Sequence, residues 1–73
     1  MARGTVKFFK EEKGWGAISS PELPAGRGDA FVHFSDIVAD GYRSLRQGDA
    51  VEFDIEEAQQ DSFRFRALNV RTL

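Results

Sequence analysis

Trp15, Phe31 and His33 are the residues best suited to chemistry in this 73-residue sequence, with Lys7 and Lys13 near them along the chain. His33 is the sole histidine and there is no cysteine, so a His/Cys metal site cannot be assembled. As a general base His33 would need a nucleophile and an orienting partner, and neither is evident. No enzymatic activity, metal or other cofactor is therefore expected. The aromatic rings offer a different chemistry. An unpaired base stacks on Trp, Phe or His whatever its identity, for ~1–3 kcal/mol per base. Interleaved lysines add phosphate contacts whose strength falls with salt. Duplex DNA cannot use such a surface, because its bases are already stacked.

Those rings matter only if the chain holds them outward together. Helical periodicity is weak, and short runs rich in Val, Ile, Phe and Thr are separated by Gly, Pro and Asp, the pattern of strands. The sequence predicts strands near residues 4–10, 15–20, 29–34, 50–56 and 63–71. Residues 34–37 are expected to form one helical turn with Ser35 as its N-cap, and Gln47-Gly48-Asp49 a turn into the fourth strand. That strand alternates cleanly, with Val51, Phe53 and Ile55 on one side and Glu52, Asp54 and Glu56 on the other. Five short strands cannot form a stable open sheet with two free edges, so closure into a small barrel is expected. The fold class is an all-β, five-stranded antiparallel closed barrel of OB type, with an SH3-like barrel as the competitor.

Alternation then places the rings. If Gly16 and Ile18 point inward on the second strand, Trp15, Ala17 and Ser19 point out. If Ala30 and Val32 point inward on the third, Phe31 and His33 point out. Burying Trp15 and Phe31 instead would expose Ile18 and Val32. An exposed apolar patch of this kind on a small soluble protein has a use.

Length and composition frame the rest. One domain over residues 1–73 is expected, since the chain lies near the lower size limit for unassisted folding and contains no repeat or linker. No apolar run approaches the ~20 residues of a membrane span. The opening Met1-Ala2-Arg3-Gly4-Thr5 lacks the apolar stretch of a secretory signal. A cytoplasmic monomer is the expectation. The net charge of −2 is unevenly spread. Residues 49–61 hold Asp49, Glu52, Asp54, Glu56, Glu57 and Asp61 with no Lys or Arg, whereas residues 62–73 add Arg64, Arg66 and Arg71. A nucleic-acid face is permitted if it avoids the acidic stretch.

Two segments carry a family resemblance. Lys13-Gly14-Trp15-Gly16-Ala17-Ile18 resembles the first RNA-binding motif of the bacterial cold-shock domain, and Asp29-Ala30-Phe31-Val32-His33-Phe34-Ser35 resembles the second. The opening at residues 4–9, the Asp40-Gly41-Tyr42-Arg43-Ser44-Leu45 stretch and the closing Leu68-Asn69-Val70 fit the same order. The resemblance implies an OB-type barrel that binds single-stranded RNA or DNA with little sequence preference, melts weak RNA structure, and acts as an RNA chaperone and regulator of transcription or translation. Carried over by position, the implied contacts are Lys7, Phe8, Lys13, Trp15, Asp29, Phe31, His33, Phe34 and Tyr42, with Phe9 as a neighbour. Ala17 stands where the family usually shows a surface phenylalanine, and Phe8 where tryptophan is common. The loop from Ser19 to Arg27, stiffened by Pro21 and Pro24, is longer than in compact members, and Arg27 is its residue of interest.

Several assignments have alternatives. A straight first strand puts Val6 and Phe8 on one face, so either a bulge frees Phe8 or Phe8 is core and Phe9 the binder. The phase slips again in the fifth strand, where a bulge or strand bend is expected around Arg66. Phe34 has core parity, Tyr42 suits a structural role, Asp29 suits a turn, and Lys7 and Lys13 suit plain surface. The competing function is a small barrel that binds a peptide or protein through the same aromatic patch.

Overall fold

The computed structural model describes residues 1–23, 29–39, 44–60 and 63–73. Five strands form, β1 (Ala2–Lys10), β2 (Trp15–Ser19), β3 (Ala30–His33), β4 (Ala50–Gln60) and β5 (Phe63–Thr72), with a 3-10 turn at Phe34–Asp36. They close into a barrel in the order β1-β2-β3-β5-β4. Four of the pairings are antiparallel, but β3 and β5 run parallel, Ala30 opposite Phe65 and Phe31 opposite Arg66. This corrects the expectation of a wholly antiparallel barrel. A closed ring with an odd number of strands cannot alternate direction all the way round, so one pair must be parallel.

The alternation of β4 holds where it was cleanest: Val51 and Phe53 are buried and Ile55 packs against the core. Val6, Ile18, Val32 and Val70 are the barrel's other large, fully buried side chains. Removing their apolar surface from water, at roughly 25 cal/mol per Å², is the main force available to a chain without cross-links. Leu23 also joins this core. It is drawn in by a return of the chain over β1: Ser20 Oγ donates to the Arg3 carbonyl at 2.7 Å, and the Arg3 N–H donates to Glu22 Oε2 at 2.7 Å.

Of the three register shifts among the described pairings, those on β1 and β5 set which residues face out. On β1, Val6 pairs with Ile18 but Phe8 pairs with Ala17, so Lys7 is the extra residue. The bulge frees Phe8 to the outer face and turns Phe9 inward. Phe9 therefore packs against the core opposite Gly16, which corrects its expected place beside the binding residues. A Cβ on Gly16 would collide with the Phe8 carbonyl oxygen and come within 2.8 Å of the Phe9 ring. On β5 the register slips between Leu68 and Arg71 against β4, around Asn69 at φ 52°. The bulge thus lies at Asn69 and not at Arg66. Asn tolerates this left-handed conformation better than most residues, and its side-chain amide donates to Asp54 Oδ2 at 3.1 Å.

Candidate nucleic-acid interface

The strand register arranges the outer face in rows. One row runs Phe8, Ala17, Phe31 across β1, β2 and β3, and the next runs Lys10, Trp15, His33 across the same strands. Phe8 meets Trp15 edge-on at 5.6 Å between ring centroids, and Trp15 lies nearly parallel to Phe31 at 5.7 Å. Phe63, the first residue of β5, closes on both, 6.2 Å from Trp15 and 5.6 Å from Phe31. Adjacent strands β1, β2, β3 and β5 thus contribute one ring each to a cluster separate from the barrel core.

Within this cluster the rings differ in access. Trp15 and Phe8 are half-buried. Phe31 points outward as expected but is only 6% exposed, which corrects the picture of an open platform. Its neighbour Ala17 has no side-chain bulk to hold the surrounding rings apart, so Trp15 and Phe63 settle against Phe31. Phe31 consequently supports Trp15. Ala17 itself is fully covered between Phe8 and Phe31.

A second platform lies beside the first. Phe34 is 46% exposed and its ring centroid is 4.5 Å from that of His33, so Phe34 is not core despite its parity. The 3-10 turn lifts it out of the strand alternation. His33, not Ser35, caps that turn: its Nδ1 accepts the Ser35 N–H at 3.3 Å and lies 2.8 Å from Ser35 Oγ. Asp36 Oδ2 accepts from Arg66 Nε at 3.1 Å and Nη2 at 2.8 Å, and Ile37 bridges to Val70, so β5 holds the turn from below. Gly14 lies under the Phe34 ring. With φ at 76°, its backbone favours glycine, and a Cβ there would stand 2.8 Å from Phe34 Cδ1.

The cations frame these rings. Lys10 Nζ sits 5.2 Å from the Trp15 ring centroid and 5.9 Å from that of Phe8, within cation–π range. Lys13 is exposed in the turn between β1 and β2. Lys7 donates to Asp29 Oδ2 at 3.1 Å, so these two expected contacts hold each other. Tyr42, Pro24 and Arg27 lie outside the described residues. Sequence reasoning missed Lys10 and Phe63. Lys10 shares parity with Phe8 along β1 and was legible on that ground; Phe63 gave no such signal. Among the described residues no three His, Asp or Glu side chains gather as metal ligands, and no helix is long and apolar enough to cross a membrane.

Comparisons with known proteins agree on a family. The model of the 'Cold-shock' DNA-binding domain matches residues 2–73. A cold shock-like protein of Aquifex aeolicus is 46% identical over 71 residues, covering 97% of this chain and 93% of that protein. The cold shock protein ScoF of Streptomyces coelicolor is 50% identical over 60 residues, covering 82% of this chain and 85% of the relative. Among solved structures, Drosophila Unr CSD456 matches with a TM-score of 0.70 at 28% identity over 99% of this chain. The match spans 26% of the Unr chain.

Proposed function

The chain belongs to the cold-shock domain family, and from that premise we propose that it binds single-stranded RNA or DNA by stacking unpaired bases on its aromatic outer face. The observation that carries this reading is the cluster of Phe8, Trp15, Phe31 and Phe63, held outside the core on adjacent strands. A second step, Phe34 beside His33, extends the surface by another platform. Bases stack on such rings with little regard to sequence. Lys10 and Lys13 are placed to meet phosphates. Lys7 joins them once its contact with Asp29 is exchanged for the ligand.

The consequence for RNA follows from competition. Bases stacked on protein are unavailable for pairing, so weak helices open while strong ones persist. The protein then works as an RNA chaperone, and by changing which sites are single-stranded it regulates transcription or translation.

The test uses Trp15, the sole tryptophan, as its own probe. Its fluorescence is followed during titration with a short single-stranded oligonucleotide and then with the matching duplex. Quenching by the single strand alone is expected. Phe31→Ala, checked for a cooperative thermal transition, should weaken that binding roughly tenfold, because Trp15 loses the ring that holds it in place for stacking. A folded protein whose tryptophan answers to neither ligand would rule the reading out.

A further inference from the structure

The cap on the 3-10 turn fixes more than backbone geometry. A backbone N–H can only donate, and the Ser35 N–H points at His33 Nδ1 from 3.3 Å. Nδ1 must therefore present its lone pair. Ser35 Oγ, 2.8 Å from the same nitrogen, is positioned to donate to it as well. A neutral imidazole that accepts at Nδ1 carries its hydrogen on Nε2. The turn thus selects one tautomer of the ring, and the nitrogen farthest from the turn is a donor.

His33 stands opposite Trp15 in the β2–β3 register and beside the ring of Phe34. Among the described residues Nε2 has no hydrogen-bond partner. The surrounding phenylalanines offer π-faces and no directional polar group. We propose that the His33 Nε2–H is a fixed hydrogen-bond donor for an acceptor oxygen of the bound strand, a base carbonyl or a phosphate oxygen, lying between the two stacking platforms. This rests on the nucleic-acid reading. It assigns His33 a role that neither stacking nor capping supplies: it orients the strand where the rings alone would let it slide.

Amide substitutions separate the roles. Asn carries its oxygen near the Nδ1 position and is a good N-cap, so His33→Asn keeps the turn and loses the donor. His33→Gln reaches toward the Nε2 position and keeps an N–H while losing the cap. Both lose the ring equally. The expected result is that His33→Gln binds a single-stranded oligonucleotide about fivefold more tightly than His33→Asn, the typical worth of one neutral hydrogen bond. Equal affinities, or tighter binding by His33→Asn, would overturn the proposal in favour of a purely structural His33.

An independent measurement needs no variant. With one histidine in the chain, a long-range proton–nitrogen correlation spectrum of the free, neutral side chain reports its tautomer directly. The Nε2–H form is expected, and an Nδ1–H form would overturn the proposal before any ligand is added. On titration the Nε2 resonance should shift with bound strand. A shift with oligo(dA), whose bases stack but carry no carbonyl, assigns the acceptor to phosphate, and a shift with oligo(dT) alone, while both strands quench Trp15, assigns it to a base carbonyl. Trp15 quenching with no change at Nε2 would refute the donor alone. No quenching at all would refute the nucleic-acid reading and the donor with it.

Discussion

The outer surface of this barrel has two unlike regions. Strands β1, β2, β3 and β5 each place an aromatic ring on it, in contact with rings from their neighbours. Strand β4 shows Glu52, Asp54, Glu56 and Glu57. The two regions also differ in how their side chains are satisfied. On β4, Glu52 stands opposite Arg71 and Glu56 opposite Arg66 in the register, but Arg66 turns to Asp36, and among the described residues neither glutamate closes an ion pair, so these acids face water. On the aromatic side the rings satisfy one another, and Lys10 rests on them. A net charge of −2 averages over both and describes neither. Among the described residues few cations stand near the rings, Lys10 and Lys13 foremost, so the affinity proposed here is expected to come mainly from stacking.

That contrast is most easily broken at Trp15. Trp15→Ala removes the ring that touches Phe8, Phe31 and Phe63 and leaves the barrel core untouched. Affinity for a fluorescently labelled single strand, followed by anisotropy, should fall by 1–3 kcal/mol, or roughly 5- to 150-fold, while the protein still folds cooperatively, with a thermal midpoint lowered by several degrees for the lost ring contacts. An unchanged affinity would mean that the cluster is a structural patch and that the ligand, if any, lies elsewhere.

A smaller effect sharpens the division between stacking and charge. Lys10→Gln and Lys13→Gln should each lower the slope of log affinity against log salt by ~0.7, the value for one phosphate contact on a single strand. Most of the wild-type affinity should survive the move from low to physiological salt. A steep slope that persists in both variants would place the phosphate contacts on other cations.

How much of this was legible in the chain depends on the range of the forces involved. Strand positions and the inward set of β4 follow from alternation, which is local, and they were read correctly. So was the outward direction of Trp15 and Phe31. What alternation cannot supply is the interruption of alternation. The extra residue at Lys7 exists because β1 must pair with β2 on one side and β4 on the other. The bulge on β5 was sensed as a change of parity, but its position at Asn69 depends on pairing with β4. The parallel β3–β5 closure followed from counting strands, had closure and an odd number been taken together. The covering of Phe31 was not legible at all, because it needs Phe63 from a strand distant in sequence. In the turn, the reading of Ser35 as cap failed because the turn begins one residue earlier, at Phe34, which puts Ser35 inside it and the extended His33 at the N-cap position.

The smallest predicted effect is the one that tests whether the two regions are electrically separate. In Glu52→Gln/Glu56→Gln two charges leave β4 while the shape of the strand is kept. Neither side chain closes an ion pair among the described residues, so the stability cost should stay within about 1 kcal/mol by denaturant titration. The barrel measures 34 × 24 × 18 Å along its principal axes, whereas the Debye length is ≈ 8 Å at physiological ionic strength and ≈ 30 Å at 0.01 M. The register runs from Glu56 through Arg66 to Phe31, so a field from β4 reaches the ring cluster across two strands, about 10 Å at strand spacing. At physiological salt it is screened over that path, and affinity for a single strand should match wild type. At 0.01 M salt the screening length spans the molecule, and the double variant should bind a few-fold more tightly because a repulsive field on the strand is gone. A large gain at physiological salt would show that the acid lies on the path of the bound strand, and the division into two regions would have to be abandoned.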